Sequence, residues 1–225
     1  TGVAGFNGSN IAKKIIKEKF KVIGIDDLSS GKLSSIPKEV DFIKYDLSGK
    51  KNLNSILKEC EIIMHLAGQS SGEISFENPQ NDLKKNTITT LNLIEQAIES
   101  KIKKIIYASS MSVYGNYKTK LRENMKLKPL SCYGAGKIAS ENYLRIFSKK
   151  LPYIIFRMFN VYGPGQNLEN LKQGMISIYL SQAIKKNKII VKGSYKRSNF
   201  KVCRYKYFGS IKVLAVGYWF LYSKK

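Results

Sequence analysis

The chain has 225 residues, 43% of them hydrophobic, enough for one substantial core or for one domain with part of a second. Its formal net charge of +23 invites a nucleic-acid reading, but all 16 acidic residues lie in 1–169, among 26 scattered Lys and Arg. Residues 170–225 hold 13 basic residues and no acid, so the charge reads as a lysine-rich composition; no nucleic-acid partner is expected, although an anionic small substrate would profit from the field.

In chain order, "TGVAGFNG" opens with Gly2, Gly5 and Gly8 ahead of a helical pattern at 9–19. "KVIGID" (21–26) and "DFIKYD" (41–46) read as strands, and a helical pattern covers 52–59. "EIIMHLA" (61–67) and "KKIIYASS" (103–110) read as strands on either side of a long helical stretch, 80–100. A helix is predicted over 133–150 and a last strand at 153–160, "YIIFRMFN". This alternation predicts an α/β fold, a Rossmann-like doubly wound parallel sheet with helices on both faces. A glycine-rich turn normally follows a strand, so a first strand is expected to be missing before Thr1. The chain shows no secretory segment, and the apolar run "VLAVGYWFLY" (213–222) is too short for a bilayer, so no membrane partner is expected. Cys60, Cys132 and Cys203 are odd in number and lack metal-like spacing; no metal is expected, and a reducing cytoplasm fits best.

The glycines at positions 2, 5 and 8 have distinct physical roles. One permits a tight turn, one lets a pyrophosphate approach the backbone, and one allows close helix–strand packing. The helix that follows would aim unpaired N–H groups at the phosphates. The next strand ends in Asp26, a carboxylate able to accept both ribose hydroxyls of adenosine and to repel a 2′-phosphate. This favours NAD over NADP, and Asp27 adds to the effect.

Beyond these features, the sequence resembles the extended short-chain dehydrogenase/reductase family, in its NAD-dependent nucleotide-sugar epimerase/dehydratase branch, and looks most like UDP-glucose 4-epimerases. The matching stretches are "TGVAGFNGSN", "VIGIDDLSSG", "YDLS", "HLAGQSS", "NPQNDLKKNTITTLNLIEQA", "YASSMSVYG", "YGAGKIASENY", "RMFNVYGPGQN" and "GMISIYLSQAI", over about residues 1–193. The resemblance implies that Gly2, Gly5, Phe6, Gly8 and Asp26 bind NAD. It implies that Asp46 and Leu47 flank the adenine, that Leu66, Ala67 and Gly68 run along the cofactor, and that Asn86 is buried near the strand ends. Phe159 and Asn160 are implied to lie near the nicotinamide and the substrate phosphates, with Asn160 binding substrate. Ser110 and Ser112 are implied to face the sugar. Residues 1–165 would form the NAD-binding domain, 166–197 the start of the substrate part, and 198–225 an aberrant tail.

In this family the tyrosine of Y-x-x-x-K is the acid–base group, which points to Tyr133 and Lys137, with Ser110 holding the reacting hydroxyl. Residues i and i+4 share a helix face, so the ammonium is expected to stabilise a phenolate and lower the tyrosine pKa. Lys137 would also hold the nicotinamide ribose. His65, the only histidine, reads as structural. Dehydratases of the family need an Asp–Glu pair before "VYG"; Met111 and Ser112 stand there instead, so epimerisation of a nucleotide sugar, for surface-polysaccharide supply, is preferred to dehydration or reduction, and the Ser110, Tyr133 and Lys137 set speaks against the other alternative, a non-catalytic NAD-binding fragment. A homodimer through the two long helices is expected.

Asn7 departs from the family pattern and would cost about 1–3 kcal/mol if buried without partners. The chain also leaves the family pattern after "IIVKGSYKR". The expectation is a reading-frame slip near residue 198, because codons for Val202, Cys203 and Arg204 read one base along can encode the Tyr-Val-Asp of the family. The carboxy-terminal substrate part is therefore expected to be incomplete.

Overall fold

In the computed structural model, residues 1–49, 52–170, 174–186, 214–216 and 221–223 are described. The frame change expected near residue 198 lies outside them. The chain divides into two compact units, Thr1–Arg157 with Phe220–Lys225, and Met158–Trp219.

In the first unit, α1 (Phe6–Lys17) begins directly on the glycine turn, three residues before the apolar periodicity starts. β1 (Ile23–Asp26) pairs in parallel with β2 (Asp41–Lys44), Ile23 opposite Asp41 and Asp26 opposite Lys44. The helix expected over 52–59 is a single turn, α2 (Asn54–Leu57). β3 (Ile62–His65) is followed by α3 (Gly72–Glu77) and α4 (Pro79–Leu83). The long helix expected over 80–100 is not continuous. A π turn, Lys84–Ile88, separates α4 from α5 (Thr89–Glu99). Thr89 and Thr90 direct their hydroxyls back to the carbonyls of Lys85 and Asn86, at 2.7 and 2.6 Å, and such back-bonding competes with the helical ladder. At the start of α4, Asn78 accepts from Asn81 N and Pro79 supplies its fixed φ.

β4 (Lys104–Ser110) pairs in parallel with β3 from Ile62–Lys104 to His65–Tyr107. α6 (Cys132–Ile146) follows, capped by Ser131 Oγ, and packs on α3, α4, the π turn and β4. β5 (Tyr153–Met158) lies beside β4. In the second unit, β6 (Asn160–Tyr162), α7 (Met175–Lys186) and β7 (Leu214–Val216) are described, with β6 and β7 antiparallel. β8 (Leu221–Ser223) pairs with β5 antiparallel, so the sheet order in the first unit is β3-β4-β5-β8.

Thr1 and Gly2 join the two sheets of this unit. Thr1 N donates to Met64 O at 2.7 Å, Leu66 N donates to Thr1 O, and Gly2 N donates to Ile25 O at 2.8 Å. The core is divided in two. Ile25, Leu53, Ile63, Leu93, Ile105, Leu144 and Ile155 centre one cluster between the strands and α2, α5 and α6. Val3, Ala12 and Val40 centre the other, where α1 covers β1 and β2. Among the described residues no helix is long and apolar enough to cross a membrane.

Candidate active site

The glycine turn meets the end of β1 and the end of β3, between the two sheets. α1 starts on Gly5 with no side-chain cap and no acid in its first turn, so its leading N–H groups and positive dipole end are unopposed. Gly2 sits at φ 73°, and a Cβ there would lie 2.7 Å from Ala67 N; a Cβ on Gly8 would lie 1.9 Å from Gly2 O. Only glycine permits this contact of turn, helix and strand end. Asp26 Oδ2 accepts from Ala4 N at 2.9 Å and Oδ1 from Leu28 N at 2.8 Å, which fixes the carboxylate against the turn. Phe6 begins the helix and is half-buried. Asn7 is also half-buried, whereas the buried positions of α1 are Gly8, Ser9 and Ala12, so its amide does not take the dry position that would have been costly.

After β2, Asp46 accepts from Ser48 N and Oγ at 2.9 and 2.7 Å. Leu47 sends its side chain into the core. At the end of β3, Leu66 N and Ala67 N donate to Thr1 O and Thr1 Oγ1. A Cβ on Gly68 would sit 2.5 Å from Asn86 Oδ1 and 3.6 Å from Lys137 Nζ, so this glycine lets the strand end approach both. Asn86 is buried on the π turn; its Nδ2 donates to Asp82 Oδ1 at 3.0 Å, while its Oδ1 has no partner.

Tyr133 and Lys137 face inward from α6, at 7% and 4% exposure. Ser110 ends β4, and its Oγ accepts from Ser112 N and lies 3.1 Å from Ser112 Oγ in the 3₁₀ turn Met111–Val113. The Ser110 hydroxyl also stands close enough to the Tyr133 phenol to favour its ionised form. Thus Ser110, Ser112 and Tyr133 come together, with Lys137 one helical turn on. Lys137 Nζ donates to Ala108 O at 3.0 Å and stands 4.9 Å from the Tyr107 ring centre and 5.7 Å from that of Tyr133.

The electrostatics correct one expectation. Burial pushes the Tyr133 phenol up to about 12, against the pull of Ser110, and Asp82 adds to the rise. Burial pulls Lys137 down to about 8, although Asp82 and Glu141 favour its charge. The ammonium bonds a backbone carbonyl, not the phenol, and burial raises the tyrosine pKa where a lowering was expected. His65 is buried with Thr1 Oγ1 and Thr90 Oγ1 at 2.8 and 3.0 Å from its ring nitrogens, and burial, then Lys137, pushes its pKa well down.

Several residues around the site escape sequence reading. Asp82 is buried and accepts from Gln69 Nε2 at 2.8 Å as well as from Asn86. Glu141 is buried one turn beyond Lys137 and is bound by Arg157 Nε at 3.0 Å, Arg157 Nη2 at 2.8 Å and Ser109 Oγ at 2.6 Å. The spacing 133, 137, 141 was the available signal for Glu141, since all three share a helix face. Nothing local marks Arg157 as its partner. Phe159 and Asn160 lie in the second unit, at the start of β6.

A profile of the NAD dependent epimerase/dehydratase family matches residues 1–199. The chain belongs to this family. A UDP-glucose 4-epimerase of Mycolicibacterium smegmatis is 34% identical over 192 residues, covering 80% of this chain and 60% of its own length. Among solved structures, a Thermus thermophilus UDP-glucose 4-epimerase in complex with NAD shares 31% identity at a TM-score of 0.75, covering 81% of this chain and 60% of the other. A Methanobrevibacter ruminantium UDP-N-acetylglucosamine 4-epimerase shares 34% at a TM-score of 0.76, covering 81% and 61%. The chain thus spans about 60% of the length of the relatives it matches. Within the NAD dependent epimerase/dehydratase family, the Rossmann-like α/β reading of the sequence stands.

Proposed function

We propose that this chain carries the cofactor site and the acid–base group of an NAD-dependent nucleotide-sugar 4-epimerase, similar to UDP-glucose 4-epimerases and serving surface-polysaccharide precursor supply. The observation that supports this most is the buried cluster of Ser110, Tyr133 and Lys137 beside Gly68 and Asn86.

The residues present fit NAD. Gly2, Gly5, Phe6 and Gly8 offer the uncapped start of α1 to a diphosphate. Asp26 would hold the adenosine ribose, Asp46 and Leu47 would flank the adenine, and Leu66, Ala67 and Gly68 would follow the cofactor. The orphaned Asn86 Oδ1 is a buried acceptor in want of a donor, which a bound group would supply. NAD, when bound, provides the hydride acceptor and a positive ring. Tyr133 would remove and return the proton of the reacting sugar hydroxyl, and Ser110 and Ser112 would orient that hydroxyl. Lys137 would hold the nicotinamide ribose. At neutral pH the buried phenol is a proton donor, so added positive charge nearby is what makes it a base. Phe159 and Asn160 are assigned to the nicotinamide and the substrate phosphates on the family resemblance.

Met111 and Ser112 carry no carboxyl, which favours epimerisation over dehydration. Thr1 and Gly2 bond to β1 and β3 together, as the end of an intervening strand would, which supports a strand leading into the glycine turn. Free thiols at Cys60 and Cys132 suit a reducing cytoplasm. Exposed Leu83, Ile88 and Ile146 on the helical segments support a homodimer through them.

The test is incubation of the protein with NAD and UDP-glucose. UDP-galactose formation supports the proposal, and Tyr133→Phe should abolish turnover while leaving NAD bound. Release of a keto-deoxy sugar would assign a dehydratase. Cofactor binding without turnover would leave only a nucleotide-binding protein, and an undiminished rate in Tyr133→Phe would remove the acid–base assignment.

A further inference from the structure

Lys85 is the second of two adjacent lysines on the π turn, and its surroundings are unlike those of a solvated lysine. The side chain is only 21% exposed. Its Nζ donates to Asp27 Oδ2 at 2.5 Å and to Asp46 Oδ2 at 2.8 Å. Asp27 follows β1, Asp46 follows β2, and Lys85 comes from a helical segment about 40 residues further on, so one ammonium joins three separate pieces of backbone. The free oxygens of both carboxylates are tied locally, Asp27 Oδ1 by Ser29 N and Oγ, Asp46 Oδ1 by Ser48 N and Oγ. Each carboxylate is therefore held on both sides.

These carboxylates line an open cleft of about 450 Å³, together with Tyr45 and Gly49. Asp26, fixed against the glycine turn, is the neighbour of Asp27 in sequence. Two carboxylates thus line the cleft assigned to the adenosine, with Asp26 next to one of them in the chain, while the phosphates of a dinucleotide are themselves negative. Lys44 and Lys84 line the cleft as well, but Lys85 is the cation bonded to both Asp27 and Asp46; without it their charges would repel the ligand.

We propose that Lys85 is a positioning residue for the adenosine end of the cofactor: it clips the loops after β1 and β2 together and offsets the carboxylates of Asp27 and Asp46, leaving Asp26 to recognise the ribose. This rests on reading the cleft as an NAD site and extends it to a residue outside the glycine turn and the strand ends. The electrostatics agree. Burial alone would push Asp46 up, but the bonds from Lys85 and Ser48 hold it at about 2; Asp27 is lowered against its burial in the same way. Burial works against the charge on Lys85 too, and Asp27 and Asp46 overcome it and raise its pKa. The charged or titratable groups facing the clip are Asp27 and Asp46, with Lys44, Tyr45 and Lys84 lining the same cleft.

Binding of AMP and of NAD to the full chain, measured by calorimetry at low salt, tests the idea in wild type, Lys85→Met, Lys85→Arg and the double variant Lys85→Met/Asp27→Asn. Loss of a charge-assisted double contact predicts an affinity for AMP weaker by about tenfold to a hundredfold in Lys85→Met. Lys85→Arg should stay near wild type, and removing Asp27 charge in the double variant should restore part of the loss. Carboxylate titration by NMR should move Asp46 upward from about 2 in Lys85→Met. AMP binding by Lys85→Met within twofold of wild type, with Asp46 titrating unchanged, would overturn the proposal. So would a loss that neither Lys85→Arg avoids nor Asp27→Asn relieves, because that pattern belongs to misfolding and not to charge. A wild-type chain that binds neither AMP nor NAD would remove the cofactor reading, and this inference with it; a normal NAD affinity in Lys85→Met would remove this inference alone.

Discussion

Arg157→Met should loosen the helix that carries Tyr133 and Lys137. Arg157 and Glu141 have side-chain exposures of 6% and 0% and meet through two parallel bonds, at 3.0 and 2.8 Å. Arg157 Nη1 also donates to Tyr114 OH at 2.9 Å and Glu123 O at 3.0 Å. Breaking a buried pair by removing one partner typically costs about 3–5 kcal/mol, because a charge is left uncompensated. Here Ser109 and Arg145 still bind the carboxylate, each at 2.6 Å, so the lower end, about 3 kcal/mol, is expected. For a chain of this size that is a fall in Tm of roughly 6–12 °C. Urea unfolding followed by circular dichroism measures it. The pH dependence identifies the cause. Burial raises the Glu141 pKa, but Arg157 outweighs it and the carboxyl lies below 4.5 in the folded chain. A depressed folded pKa contributes stability above pH 4.5 and loses it as pH falls through the folded value. Arg157→Met raises that folded pKa, so the gap between wild type and variant should narrow below pH 4.5. A loss under about 1 kcal/mol, or a gap constant from about pH 7 to about pH 3, would refute the reasoning. Glu141→Leu/Arg157→Met should recover much of the loss if the unpaired charge, and not the packing, is the cause.

Lys137→Met should leave the chain as stable or more so at neutral pH while abolishing turnover, since burial lowers the lysine from 10.5 to about 8, a penalty of about 3 kcal/mol. Because the unfolded chain holds the proton up to about pH 10.5, wild type gains stability between pH 8 and 10.5. Thermal melts should show Lys137→Met lacking that gain, and equal slopes would contradict the assignment. Gly8→Ala should destabilise by about 1–3 kcal/mol or more and weaken NAD binding, because the new carbon would stand 1.9 Å from Gly2 O. Gly72→Ala serves as the control: its added carbon would meet Ser131 Oγ at 3.6 Å, an ordinary contact, and a comparable loss there would show that the turn is not special.

What could be read from the order of residues was whatever depends on near neighbours. Strands at 21–26, 41–46, 61–67, 103–110 and 153–160 appear within a few residues of their predicted places, because short β-rich runs between turn residues have little else to become. Gly2, Gly5, Gly8 and Asp26 meet because a strand, a tight turn and a helix start are consecutive in the chain. Tyr133 and Lys137 share a face because they are four apart. The break at Lys84–Ile88 was hidden, since it depends on Thr89 and Thr90 turning back on carbonyls that a regular helix would have used. Lys85 with Asp27 and Asp46, and Glu141 with Arg157, were equally hidden: each pair is distant in sequence and is matched by the sheet, not by spacing. The direction of the Tyr133 shift was misjudged for the same reason. Spacing shows that an ammonium is near a phenol, but only the tertiary structure decides how much water both have lost, and in a buried site that loss is the larger effect.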